Sequence, residues 1–157
     1  MTDADLMVTE EARDEEFRPA GRTVVVSGLT SDAHTWNLVF LQLMLEEAGF
    51  DVVNLGPCVP IEVLVSTCCD LHPLMIVLSS VNGHGFQDGL ATVEALRARP
   101  ELAGTVTVIG GKLGISGERR AENARALMAA GYDAVYDDDA QAAGEFDQLL
   151  RSMAAIR

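Results

Sequence analysis

Asp32 and His34 are the residues of this chain whose types and spacing most suggest chemistry. They stand two apart in Val24-Val25-Val26-Ser27-Gly28-Leu29-Thr30-Ser31-Asp32-Ala33-His34-Thr35-Trp36-Asn37, where a β-branched run ends at a small-residue corner and a polar loop precedes a helical pattern. A carboxylate that accepts one imidazole N–H fixes the tautomer and makes the other ring nitrogen a better metal ligand. One imidazole is too few to hold a free ion. It suffices for a metal that arrives in a macrocycle and needs an axial ligand. The plainer alternative is that Asp32 caps the first helix and His34 is a solvated loop residue.

The elements that position this loop are legible as alternating strand and helix signals. Thr23–Val26 reads as a buried strand, followed by Leu38, Leu41, Leu43, Met44, Leu45 and Ala48 at helical spacing up to Gly49. Phe50–Leu55, Pro73–Leu78, Thr105–Ile109 and Asp133–Tyr136 read as four more strands. Helical patterns run from Pro60 to Asp70, through Leu90, Val93, Leu96 and Ala98, from Glu118 to Ala130, and from Ala140 to about residue 155. Five strands alternating with five helices predict an α/β fold with an open parallel sheet and helices on both faces. Right-handed crossovers make the flavodoxin-like (Rossmann-like) order 2-1-3-4-5 the expected topology.

In that order the first, third and fourth strands are neighbours, and the loops leaving them are rich in small residues. They hold Ser27-Gly28, then Ser79-Ser80 with Gly83 and Gly85, then Gly110-Gly111 with Gly114. All three lie at the carboxyl edge, where such sheets bind ligands, so a flat or bulky molecule is expected against the backbone there. Other chemistries fit less well. Gly110-Gly111-Lys112-Leu113-Gly114 lacks the Lys-Ser/Thr pair of a phosphate-binding P-loop. A phospho-receiver needs an Asp ending the third strand, and that place is Ser79. Flavin binding survives as a weak alternative, with Trp36 the single tryptophan. No strained Gly-x-Ser-x-Gly elbow surrounds Ser79 or Ser80, and His34, His72, His84 and the cysteines show no zinc spacing.

The totals bound the class. At 157 residues the chain is expected to form one domain, residues 22–157, behind an acidic tail over residues 1–21 with too little apolar surface to order itself. Eleven basic against 24 acidic residues give a net charge of −13, which argues against a phosphate-tracking nucleic-acid surface. The apolar runs are too short for a membrane span, and the acidic start Met1-Thr2-Asp3-Ala4-Asp5 is not that of a signal peptide. Three cysteines without framework spacing fit a reduced, cytoplasmic protein.

Asp32-Ala33-His34-Thr35-Trp36-Asn37 resembles the Asp-x-His-x-x-Gly signature of cobalamin-binding domains. Ser79-Ser80-Val81 resembles the accompanying Ser-x-Leu, and Gly110-Gly111 the Gly-Gly of the third loop. Within that family, Val52–Gly56, Gly83-His84-Gly85, Val108–Gly111 and Gly131–Tyr136 are similar to segments of the small subunits of glutamate (methylaspartate) mutases, and the likeness covers about residues 22–150. The resemblance implies a cobalamin whose dimethylbenzimidazole arm is detached from cobalt. His34 would be the lower axial ligand and Asp32 its hydrogen-bonded support. It implies a cradle built from Ser31, Asp32, Ala33, His34, Thr35, Trp36 and Asn37, from Ser79, Val81, Asn82 and Gly83, and from Gly110, Gly111 and Lys112. Ser79 would bond the heterocycle nitrogen in a slot between the first and third strands and their helices. The motif glycine is Asn37 here, the second motif's leucine is Val81, and the aromatic residue after it is Asn82.

The implied activity is that of the cofactor-carrying subunit of an adenosylcobalamin-dependent mutase, presenting the corrin to a larger, barrel-shaped catalytic subunit. One sheet takes up the chain, so groups for the substrate are expected from that partner. The loops around His34, at Gly83-His84-Gly85 and over residues 110–117 would form the joint face. A corrinoid carrier for methyl transfer, which usually adds a helical cap domain, and a non-catalytic domain that keeps the fold are the alternative readings.

Overall fold

Each β-branched or apolar run becomes a strand: β1 (Thr23–Gly28), β2 (Asp51–Asn54), β3 (Met75–Ser80), β4 (Val106–Gly111) and β5 (Ala134–Tyr136). The computed structural model describes residues 21–113, 119–136 and 140–155. The acidic segment before Gly21 and the part of the third loop from Gly114 to Gly117 lie outside the described residues. The strands are all parallel, in the order β2-β1-β3-β4-β5, which is the expected flavodoxin-like arrangement.

Alternation along the central strands sends successive side chains to opposite faces. Val24, Val26, Met75, Val77 and Val108 pack with Leu38 and Leu45 of α1 (Trp36–Glu47) and with Phe146, Leu150 and Met153 of α5 (Ala140–Ala154). Val25, Ile76, Leu78 and Ile109 pack on the other face. There they meet Leu64 and Cys68 of α2 (Ile61–Leu71), Val93 and Leu96 of α3 (Gly85–Arg97) and Leu127 of α4 (Arg120–Ala130). All six residues of β3 are buried, as befits a central strand covered on both sides.

Four boundaries, three strand ends and one helix start, differ from the sequence reading in a way that matters for the site. The small residues expected to begin the loops belong to the strands themselves. Gly28 pairs with Ser79, Ser79 with Gly110, and Gly110 with Tyr136, forming one row across the carboxyl edge. Small side chains do not stop a parallel ladder whose neighbours supply the backbone partners. The third helix also starts earlier, at Gly85, where a Cβ would come within 2.7 Å of the Ser80 side chain. The close approach of α3 to β3 therefore requires a glycine that periodicity alone does not reveal.

None of the cysteines is disulfide-bonded: Cys58 is exposed, Cys69 half-buried and Cys68 buried. Burial, and the neighbouring Cys69, push the Cys68 thiol up to about 12, so it packs as an inert apolar group. Among the described residues, no helix is long and apolar enough to cross a membrane.

Candidate functional site

Asp32 does not cap a helix. The N-cap of α1 is Thr35, which makes no side-chain capping bond. The Asp32 carboxylate is instead buried, 1% exposed, and ties two loops together. Its Oδ1 accepts from the His34 backbone N–H at 3.0 Å and from His34 Nδ1 at 2.7 Å. Its Oδ2 accepts from the backbone N–H groups of Val81 at 2.5 Å and Asn82 at 3.3 Å. The Asp32 main chain is held as well, its N–H donating to Leu29 and its carbonyl accepting from Cys58.

Because a carboxylate only accepts, the proton of the His34–Asp32 bond belongs to Nδ1. Nε2 is then the imidazole's free lone pair, on a side chain 57% exposed. Among the described residues, no group of three or more His, Cys, Asp or Glu could hold a metal ion.

The loop carrying this pair is pinned from three directions. Asn82 Nδ2 donates to the Ser31 carbonyl at 2.8 Å, Thr30 Oγ1 donates to the Val59 carbonyl at 3.4 Å, and the Ser31 hydroxyl donates to Asp88 of α3. Gly83 adopts φ +84°, and Asn82 Oδ1 accepts from the His84 N–H at 3.0 Å, which folds the second loop back beneath the first. Cys58 and Asp88 had no sequence signal for this role, since both act across gaps of more than twenty residues.

Burial alone raises the Asp32 pKa, but the bonds from Val81, His34 and Asn82 outweigh it and hold the group below its ordinary 3.8. Protonation therefore favours the unfolded chain. The contribution to stability is complete above the ordinary carboxylate range and is lost as pH falls from 3.8 through the lower folded value. Urea midpoints measured from pH 5 down to 2 are expected to fall more steeply for the wild type than for Asp32→Asn. Parallel curves would remove Asp32 from the acid response.

Beside the pair, on the α1/α5 face of the sheet, lies a cavity of about 240 Å³. Its floor is Val77, Ser79, Val108, Gly110 and Gly111, and its walls are Asn37, Phe40, Leu41 and Met44 of α1 with Tyr136, Ala142 and Phe146. Tyr136 and Phe146 meet edge-to-face with ring centroids 5.3 Å apart. Tyr136 follows from topology once β5 is placed beside β4, because it pairs with Gly110; the α1 and α5 liners needed the packed structure. Asn37 Nδ2 donates to Ser79 Oγ at 2.7 Å, which leaves the Ser79 hydroxyl proton free for another acceptor. Asn37 Oδ1 is buried with no hydrogen-bond partner.

The structure thus divides the residues singled out in the sequence. Ser31, Asp32, His34, Val81 and Asn82 form one hydrogen-bonded cluster, with Gly83 turning the chain beside it. Asn37, Ser79, Gly110 and Gly111 line the adjoining cavity. Ala33, Thr35 and Lys112 are exposed, and Lys112 contributes its backbone N–H to the Ser80 carbonyl at 2.7 Å. Trp36 is 83% exposed, and with Val39, Phe40 and Leu43 it leaves an apolar stripe on α1 directly after His34. Apolar area of that kind, contiguous with a polar site, marks a surface that something covers.

Residues 22–136 match the family model of the B12 binding domain. Glutamate mutase sigma subunit 1 of Haloarcula marismortui is 31% identical over 118 residues, covering 74% of this chain and 76% of that protein. The glutamate mutase sigma subunit of Fusobacterium nucleatum is 28% identical over 120 residues, covering 74% and 85%. Among solved structures, a cobalamin-binding protein from Desulfitobacterium hafniense superposes with a TM-score of 0.63 at 23% identity. That match covers 83% of this chain and 59% of the other, so this chain spans a little over half of that protein's length.

Proposed function

This chain belongs to the B12-binding domain family, and on that premise we propose that it is the cofactor subunit of an adenosylcobalamin-dependent carbon-skeleton mutase of the glutamate (methylaspartate) mutase type. The Asp32–His34 pair beside an apolar cavity carries this reading. A lone imidazole with a free Nε2 suits a cobalt already held by a corrin, and a 240 Å³ apolar slot suits the detached heterocyclic arm.

In this reading His34 Nε2 would hold the cobalt. Asp32 keeps Nδ1 protonated and the ring fixed, which strengthens Nε2 as a donor. The cavity between α1, α5 and the Gly28–Ser79–Gly110 row would hold the base, and Ser79, whose Oγ accepts from Asn37, would have its hydroxyl proton to donate to a ring nitrogen. When bound, cobalamin supplies a weak cobalt–carbon bond whose homolysis initiates rearrangements such as L-glutamate to L-threo-3-methylaspartate. None of this chain's residues is assigned to the substrate. A larger, barrel-shaped catalytic subunit provides those groups and meets this one across the loops at His34 and at Gly83-His84-Gly85. This subunit has no mutase activity alone.

Purified protein mixed with hydroxocobalamin is expected to give the visible spectrum of a base-off, histidine-ligated corrinoid, and His34→Ala is expected to lose it. An identical spectrum from His34→Ala would rule out His34 as the ligand, and cobalt-free protein after desalting would rule out corrinoid binding. Reconstitution with a glutamate mutase catalytic subunit, assayed for 3-methylaspartate, tests the reaction separately.

A further inference from the structure

Asp32 reaches from the first loop to the second, and the second loop reaches back. The Asn82 side chain donates through Nδ2 to the Ser31 carbonyl at 2.8 Å and accepts through Oδ1 from the His84 N–H at 3.0 Å. One partner is a carbonyl and the other an N–H, so the amide fits in a single orientation. The Ser31 carbonyl and the Asp32 N–H belong to one planar peptide. That plane is held on both sides, by Asn82 at the carbonyl and by Leu29, whose own carbonyl accepts from the Asp32 N–H at 3.1 Å. The Asp32 carboxylate in turn accepts from the Asn82 backbone N–H at 3.3 Å. Two side chains, one from each loop, thus close a reciprocal clasp around the peptide that leads into Asp32 and His34. Asn82 stands where the cobalamin-binding signature has an aromatic residue, whose ring atoms could make neither bond.

We propose that Asn82 is a positioning residue for His34, setting the imidazole in its ligating pose before any corrinoid arrives. The proposal rests on the corrinoid reading above for what His34 then binds, whereas the clasp is a property of the free protein. It acts in two steps. Asn82 fixes the peptide before Asp32, so the carboxylate stays where its Oδ1 meets His34 Nδ1 at 2.7 Å. That bond keeps the proton on Nδ1 and leaves Nε2 its lone pair. Without the Asn82 amide the first loop still bonds to Asp88 and Val59. Neither of those holds the Ser31 carbonyl, so the carboxylate shifts and the ring gains the freedom to exchange tautomers.

The test reads the free protein and corrinoid binding separately. Nitrogen-15 NMR of the imidazole rings at about pH 9, above the ordinary histidine range, reports the tautomer with no cofactor present. The wild type is expected to show His34 as the single Nδ1–H form, and Asn82→Ala a mixture of both forms. Asn82→Ser keeps an oxygen that can accept from the His84 N–H but is one bond too short to reach Ser31, and it is expected to follow alanine. Visible-absorbance titration with cobinamide, a corrinoid without a lower base, is expected to show about tenfold weaker binding in both variants. A single Nδ1–H tautomer in Asn82→Ala, or wild-type affinity in either variant, would overturn the proposal. Serine matching the wild type while alanine does not would also overturn it, because the turn at His84 and not the clasp would then be responsible. A wild-type protein that leaves the cobinamide spectrum unchanged would overturn the corrinoid reading alone, and the tautomer would still decide for or against the clasp.

Discussion

Asp32→Ala is expected to be the most damaging single change at the site, lowering both stability and corrinoid affinity. The carboxylate is 1% exposed and answers the Val81 and Asn82 N–H groups on one oxygen and His34 on the other. Alanine leaves those donors without their acceptor at a cost of about 1–3 kcal/mol for each buried group. It also frees the His34 ring to rotate and to exchange tautomers, and loss of such a support typically weakens metal binding by about 10–100-fold. Urea denaturation of the free protein reads the first effect, and spectral titration with hydroxocobalamin reads the second. Asp32→Asn separates them. Its amide oxygen can still accept on one side, but its NH2 faces a donor on the other, so part of the stability returns while orientation of the imidazole does not. Wild-type stability and wild-type affinity in Asp32→Ala would leave the carboxylate without a role.

Gly111→Ala is expected to destabilise the whole sheet edge, by about 3 kcal/mol. Gly111 has φ +98°, and a Cβ built there lies 2.0 Å from the Ser80 carbonyl oxygen, a separation that no side chain can relieve because the obstacle is backbone. The same carbonyl accepts from Lys112 N–H at 2.7 Å, so moving it breaks the bond that turns the chain out of β4. Strain of this kind is worth about 1–3 kcal/mol, and the lost bond about 1 kcal/mol more. For a chain of this size that corresponds to a fall in Tm of about 6–12 °C. Two neighbours serve as controls. A Cβ at Gly104 meets nothing within 4 Å, so Gly104→Ala should leave Tm close to wild type. A Cβ at Gly110 touches Tyr136 at 3.4 Å, an ordinary contact, so Gly110→Ala should fold and only narrow the cavity. A Gly111→Ala protein that melts with the wild type would show that the turn relaxes at no cost.

Other features of the site follow from the same geometry. The three loops converge because β1, β3 and β4 are adjacent, and right-handed crossovers bring their carboxyl ends to one edge. On that edge a carboxylate from the first loop can reach the N–H groups of the second. This is why Asp32 is better described as a clamp between β1 and β3 than as part of a local helix start. The acidity of the chain, −13 overall, has no part in this local arrangement.

The sequence by itself determined the strand and helix alternation, the sheet order, the Asp32–His34 spacing and the small residues of the Gly28–Ser79–Gly110 row. Those properties are local or nearly so: β-branched runs, period-3.6 patterns, and the absence of a side chain are written residue by residue. The tertiary structure alone decided which of two readings Asp32 obeys, because its partners Val81 and Asn82 lie about fifty positions away and a cap and a clamp look alike in one dimension. It also decided that Ser79 is already engaged by Asn37 and that one end of that amide is left over. Hydrogen-bond satisfaction belongs to pairs of groups meeting in space, and the sequence supplies only one member of each pair at a time.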